Sequence, residues 1–272
     1  MILRKNNLKK PVATALTIAG SDSGGGAGIQ ADLKSFSAHG VYGASVLTAI
    51  TAQNTLAVTL VETVSPEMID AQIKAVLDDI RIDAIKIGML GTPEVIEVVA
   101  SALANYEGPI VLDPVMVAKS GDALLHDDAV ASLIDKLLPL ASLLTPNIPE
   151  ATRLLSLDHG LALVEQGKAL LALGPKAVLL KGGHADGPIC CDYLITDNKI
   201  AKFESPRLGT GNTHGTGCSF SSAITAGIAK GLALDEATGE AHLWLHEAIK
   251  AADHLEIGHG HGPVHHFHKL WS

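Results

Sequence analysis

Ala13-Thr-Ala-Leu-Thr-Ile-Ala19 runs directly into Gly20-Ser-Asp-Ser-Gly-Gly-Gly-Ala-Gly28, and a helical segment follows from about Ile29. The short apolar run has the length of a buried strand. The glycines after it supply positive φ and let the backbone approach a ligand closely. The loop lacks the Gly-Lys-Ser/Thr of a P-loop and makes a poor dinucleotide fingerprint. A flexible β–α turn is the bland reading of the same residues.

Outward from that turn the pattern repeats. The runs Ala84–Ile87, Pro109–Leu112, Ser142–Leu144 and Ala177–Leu180 again have the length of buried strands. Between several of them lie helices with clear starts. Ser65-Pro66 is an N-cap followed by proline in the first turn, and Ile69, Ile73, Val76, Leu77 and Ile80 trace one stripe beyond it. Thr92-Pro93 repeats the device. A third helix runs from Gly217 to a glycine C-cap at Lys230-Gly231, and a fourth starts at Asp235. Strand–helix alternation predicts one α/β domain over residues 1–272, a mostly parallel sheet with helices on both faces.

Composition narrows the class. Of 272 residues, 47% are hydrophobic and 18% charged, which excludes a disordered chain. The net charge of −9 argues against a nucleic-acid partner but not against phosphate ligands, since backbone N–H groups can build an anion site locally. Three cysteines, Cys190, Cys191 and Cys218, make no disulfide framework and point to a reducing compartment. Cys190 and Cys191 are expected to fill core. Arg4, Lys5, Lys9 and Lys10 before an apolar run faintly imitate a signal peptide, but cleavage there would remove the strand leading to the glycine loop. Asp135 and Lys136 interrupt the strongest candidate membrane span. A soluble cytoplasmic protein is expected.

Ligands of an open parallel sheet bind beyond the carboxyl ends of its strands. Here those ends carry Gly20-Ser21-Asp22, Gly88-Met89, Asp113-Pro114-Val115, Thr145-Pro146-Asn147 and Lys181-Gly182-Gly183. His214-Gly215-Thr216-Gly217-Cys218 opens a helix, where free N–H groups and the dipole favour a phosphoryl group. Cys218 lies in that first turn, where a helix start lowers a thiol pKa; a small core residue is its plainer reading. Asp32 is either a ligand-facing acid or a solvated first-turn one. Asn147 and Glu150 could approach a hydrated Mg²⁺ or simply cap a helix. Six histidines at 254, 259, 261, 265, 266 and 268 tempt a metal reading, but the interleaved Gly and Pro suggest a chain end crossing the surface.

Taken in order, these motifs resemble a known family. Leu16 to Lys34, Thr51-Ala-Gln-Asn54, Ile87-Gly-Met89, Asp113 to Gly121, Thr145-Pro-Asn147, His214-Gly-Thr-Gly-Cys218 and Gly260-His-Gly-Pro-Val264 resemble the hydroxymethylpyrimidine/phosphomethylpyrimidine kinases of thiamine biosynthesis. The resemblance implies a ribokinase-like fold, ATP and Mg²⁺ as cofactors, a small pyrimidine substrate and a homodimer. It implies two phosphorylations at one site, first of the hydroxymethyl group and then of the monophosphate. Gln53 matches the glutamine that pairs with the aminopyrimidine edge; Asp32, Gly20, Met89 and Val115 match the pocket around it. Gly215, Thr216 and Gly217 match the phosphoryl hole, and Cys218 stands where related sugar and pyridoxal kinases have an Asp base. Lys181, Thr210 and Asn212 are expected at the nucleotide, and Asp113, Asn147 and Glu150 near the metal. One departure is Gly211, where the family usually has a lysine. The alternatives are a pyridoxine/pyridoxal kinase and a non-catalytic pyrimidine-binding regulatory domain. A dinucleotide oxidoreductase suits the fold but lacks the acidic residue for the ribose.

Overall fold

The computed structural model describes residues 11–117, 121, 124–157, 161–183 and 187–271. Arg4, Lys5, Lys9 and Lys10 lie outside the described residues, as do Ala118, Lys119 and Ser120 of the quoted Asp113 to Gly121 motif. The strands are β1 (Thr14–Asp22), β2 (Tyr42–Gln53), β3 (Val58–Thr63), β4 (Ala84–Ile87), β5 (Ile110–Leu112), β6 (Leu143–Leu144), β7 (Val178–Leu180), β8 (Ile189–Ile195) and β9 (Ile200–Pro206). They form one sheet in the order β3-β2-β1-β4-β5-β6-β7-β8-β9. The interior pairs are parallel, while β3 on one side and β8 and β9 on the other run antiparallel to their neighbours.

Helices cover both faces. The helices α1 (Gly28–Ala38), α2 (Pro66–Leu77), α3 (Pro93–Leu103), α4 (Asp127–Ser132), α5 (Ile148–Leu154), α6 (Leu163–Leu171), α7 (Thr216–Ala229) and α8 (Leu234–Lys250) follow in chain order. Ser65 and Thr92 cap α2 and α3 by accepting from Met68 N–H and Val95 N–H, as their spacing predicts. Ile69, Ile73, Val95, Ile96 and Val99 bury α2 and α3 against Leu16, Ile85 and Ile87 on one face. Phe220, Ala223, Ile224, Trp244 and Leu245 of α7 and α8 bury the opposite face against Val111, Leu143 and Leu179. No helix of the described residues is long and apolar enough to cross a membrane.

Two expectations are corrected. Cys190 and Cys191 do not fill core: both lie half-buried on β8, with Cys191 Sγ 3.4 Å from Glu204 Oε1 on β9. The hairpin has one face open to solvent, so its apolar residues are shared between core and surface. The histidine-rich end does not merely cross the surface either. His265 and His266 are buried, and His266 Nε2 stands 2.8 Å from Ser219 Oγ.

Candidate active site

The glycine loop after β1 is organised by one carboxylate. Asp22 Oδ1 accepts Gly24 N–H at 2.8 Å, and Oδ2 accepts Gly26 N–H at 3.0 Å and Ala27 N–H at 2.8 Å. His214, from the far end of the chain, donates from Nε2 to Oδ2 at 2.8 Å. Burial alone would raise the Asp22 carboxyl; the His214 and backbone donors outweigh it and hold the group below its usual value. The two loops meet without room for side chains. A Cβ on Gly26 would stand 2.3 Å from His214 Cδ2, and one on Gly215 would stand 1.8 Å from Gly26 O. Gly215 also has φ +76°, a left-handed conformation in which glycine carries no steric cost.

Gly215 is the N-cap of α7, and no side chain caps that helix. The Thr216 N–H turns back to Thr213 O at 3.3 Å. Among the described residues the N–H groups of Gly217 and Cys218 find no acceptor, which leaves two donors and the positive end of a helix dipole for an anion. The expected hole of Gly215–Cys218 is thus narrower: Thr216 N–H is already engaged. Beneath it, a Cβ on Gly217 would be 3.3 Å from Lys181 Nζ and 3.6 Å from Asp113 Oδ2.

The floor is charged and almost sealed. Lys181 Nζ donates to Asp113 Oδ1 at 2.8 Å, Thr145 Oγ1 donates to the same oxygen at 3.1 Å, and Ser221 Oγ donates to Oδ2 at 3.2 Å. Burial would raise Asp113, but Lys181 and Lys86 hold it below its ordinary value. Glu150, close by, is pushed up to about 7 by burial, with the Asp113 charge adding to the effect and Lys181 opposing it. Deeper still, Lys86 Nζ donates to Asp32 Oδ2 at 2.9 Å, while Thr17 and Ser222 hydroxyls donate to Asp32 at 2.6 Å each.

Several expectations change here. Asp32 is neither solvated nor on the pocket wall; it is completely buried, with both oxygens engaged by Lys86, Thr17 and Ser222. Cys218 is not a low-pKa thiol. Burial pushes it up to about 11, and the nearby Lys86 ammonium only partly opposes that. Asn147 is committed to a capping box: its Oδ1 accepts Glu150 N–H at 2.9 Å, while Glu150 Oε2 accepts Asn147 N–H at 2.8 Å. The side chains of Thr210 and Asn212 turn to the Asp253 carboxylate, which both donate to. Among the described residues no group of three or more His, Cys, Asp or Glu could hold a metal by itself. Asp113 and Glu150 nevertheless fit a hydrated Mg²⁺, which takes few direct carboxylates. They are two carboxyl groups near one ammonium, and a cation beside them would offset the burial and the Asp113 charge that together raise Glu150.

At the other end of the cleft, a Cβ on Gly20 would lie 3.0 Å from Met89 Sδ, so the glycine makes room for the thioether. Thr48 Oγ1 donates to Met89 O at 2.7 Å and fixes that strand end. Gln53 Oε1 accepts from Thr51 Oγ1 at 3.2 Å, and its Nε2 lies 3.5 Å from His214 Nε2. Val115 follows Asp113 on the same strand end, half-buried. The sequence marks Asp22 only as part of the strand end Gly20-Ser21-Asp22, with no partner, and it marks neither Lys86 nor Ser222 as a site residue. Lys86 did leave a signal, as the one charged residue inside the apolar run Ala84–Ile87.

The chain is similar to known proteins over most of its length. The family model described as Phosphomethylpyrimidine kinase matches residues 22–265. The hydroxymethylpyrimidine/phosphomethylpyrimidine kinase of Rhizobium meliloti (strain 1021) is 54% identical over 264 residues, covering 96% of this chain and 99% of that one. Its Escherichia coli (strain K12) namesake is 51% identical over 261 residues, 94% of this chain and 98% of that one. The crystal structure of phosphomethylpyrimidine kinase from Clostridium difficile 630 gives a TM-score of 0.77 at 45% identity, over 87% of this chain and 99% of that one. Staphylococcus aureus pyridoxal kinase in complex with AMP-PCP and pyridoxal gives 0.87 at 31% identity, over 96% of each chain.

Proposed function

This chain belongs to the phosphomethylpyrimidine kinase family, and from that premise we infer an ATP-dependent kinase of thiamine biosynthesis. It phosphorylates 4-amino-5-hydroxymethyl-2-methylpyrimidine and then the resulting monophosphate. One observation carries the reading: His214 of the phosphoryl loop lies 3.5 Å from Gln53 Nε2 and bonds Asp22 of the glycine loop at 2.8 Å. Pyrimidine recognition and phosphoryl binding thus converge on one point.

Positioning and charge neutralisation do most of the work in phosphoryl transfer. In this proposal the Gln53 amide donates to and accepts from the aminopyrimidine edge, and Gly20 and Met89 flank the ring. Val115 closes the pocket from the next strand end. The free N–H groups of Gly217 and Cys218 hold the moving phosphoryl, and Lys181 beneath them offsets its charge. Lys181, with the backbone of the Thr210–Asn212 loop, faces the nucleotide phosphates; the Thr210 and Asn212 side chains keep that loop on Asp253. Asp113 and Glu150 would hold Mg²⁺, which when bound neutralises ATP oxygens; Asn147 contributes by capping. Asp32 holds Lys86 under the site. In the first step Cys218 acts as its thiolate, formed by loss of the thiol proton to solvent and scarce at neutral pH; it takes the hydroxyl proton and returns to the neutral thiol.

The decisive measurement is ADP release with each pyrimidine in turn. Turnover of both supports the reading, and absence of turnover with either overturns it. A second reading, pyridoxal phosphorylation, is favoured by the TM-score of 0.87 to the Staphylococcus aureus enzyme, and pyridoxal in the same assay decides it. We further propose a cytoplasmic homodimer. Leu60 and Val61 on the β3 edge and Ile50 beside them are exposed apolar residues that a second subunit would cover. Light scattering after gel filtration gives the mass directly.

A further inference from the structure

The segment Gly258-His-Gly-His-Gly262 belongs to neither substrate site, yet it is bonded to the surroundings of both. On one side Gly260 N–H donates to Thr55 Oγ1 at 3.2 Å, and His261 N–H donates to Thr55 O at 3.0 Å. Thr55 stands in the turn of the β2–β3 hairpin, just beyond Gln53. On the other side Gly262 N–H donates to Asn212 Oδ1 at 3.0 Å, and His261 Nδ1 meets Gly211 O at 3.0 Å. His214 N–H donates to Gly262 O at 3.0 Å, and Val264 N–H donates to His214 O at 3.3 Å.

The alternating glycines explain how one strand of chain serves both sides. A Cβ on Gly260 would lie 2.1 Å from Thr55 O, and one on Gly262 would lie 2.4 Å from Asn212 Oδ1. The backbone therefore sits flush against the hairpin and the loop at once. It is also firmly posted beyond that point: His265 N–H donates to Ala248 O at 2.9 Å, and buried His266 pairs with Ser219 Oγ at 2.8 Å on α7.

We propose that Gly258–Gly262 is a positioning strap that couples the two substrate sites. It fixes the hairpin carrying Gln53 relative to the loop carrying Gly211 and His214. A pyrimidine that orders the hairpin then orders the nucleotide loop through Thr55, Gly260 and Gly262, and a nucleotide does the reverse by the same factor. The proposal rests on the pyrimidine and phosphoryl assignments above.

The test is calorimetric binding of AMP-PCP with Mg²⁺, with and without saturating hydroxymethylpyrimidine, and the reverse titration. The expected result for the wild type is mutual tightening of at least about 5-fold. Gly260→Ala drives the strap off Thr55 and should bring that factor close to 1, with each single affinity much less changed. Thr55→Ala removes one surface hydroxyl and should lower the factor partway; it decides the matter if Gly260→Ala does not fold. Gly209→Ala, where a Cβ meets nothing within 4 Å, should leave the coupling intact. Independent binding in the wild type, or undiminished coupling in Thr55→Ala and in any folded Gly260→Ala, overturns the strap. Failure of the wild type to bind one of the ligands even when the other is saturating instead overturns the functional reading beneath it.

Discussion

Lys86 Nζ lies 2.9 Å from Asp32 Oδ2, and neither side chain has any exposed surface. Such a pair is weak evidence of stability, because desolvation offsets the attraction, but removing one partner strands the other charge. Lys86→Met should cost about 3–5 kcal/mol in urea unfolding. Adding Asp32→Asn should recover more than half of that loss. A double variant no more stable than the single one would show that the pair matters through packing rather than charge.

The base role proposed for Cys218 should separate the two chemical steps. A primary alcohol is not ionised at neutral pH, so a positioned base accelerates its attack by about 10²–10⁴-fold. A phosphomonoester, with a second pKa of about 6, is already mostly dianionic and needs no such help. Cys218→Ala should therefore slow the first phosphorylation far more than the second. With the thiol pushed up to about 11, the first rate should also climb about tenfold per pH unit above neutrality while the second stays flat. Equal losses in both steps would remove Cys218 from the role of base.

With Gln53 in its proposed place against the pyrimidine, Gln53→Leu should leave the polar edge of the ring unpaired, a penalty of about 1–3 kcal/mol. Steady-state kinetics should show a raised KM for the pyrimidine and little change for ATP. A matching rise in both would mean that the hairpin itself has been displaced.

His266 sets an acid limit on stability. Burial, with Lys34 adding repulsion, depresses its pKa to about 3 from an ordinary 6.5. Between those values the unfolded chain binds the extra proton, so stability is present above pH 6.5 and is lost as pH falls towards 3. The slope from this one group is at most about 1.4 kcal/mol per pH unit. His266→Gln should flatten the acid limb of Tm against pH. An unchanged limb would assign it to other groups.

The strand ends were legible because glycine, carboxylate and lysine stand out after short apolar runs, as in Ile87-Gly88-Met89 and Leu180-Lys181. The helix starts at Ser65 and Thr92 were legible because a cap followed by proline is a local signal. Long-range partnerships were not. Nothing local in Asp32 says that Lys86, Thr17 and Ser222 will enclose it, and the helix-start rule for Cys218 is overridden by burial that only tertiary packing creates. The Asn147-x-x-Glu150 spacing served two readings, and the capping one holds for Asn147 because its amide oxygen accepts the Glu150 N–H at 2.9 Å. The edge strand β3 is mostly exposed and so lacks an apolar run, while in β2 Gly43, Ser45, Thr48 and Thr51 interrupt the apolar residues although most of the strand is at least half-buried.

The bond between Asp22 and His214 spans 192 positions of sequence, and Ser222 reaches back 190 to Asp32. A nascent or nicked polypeptide ending before residue 214 would own the glycine loop and all nine strands of the sheet, yet not the helix start proposed to cradle a phosphate. Phosphotransfer is therefore acquired in one late event, when the two halves of the chain close on each other. Catalytic onset during refolding should report that closure and lag behind the appearance of secondary structure.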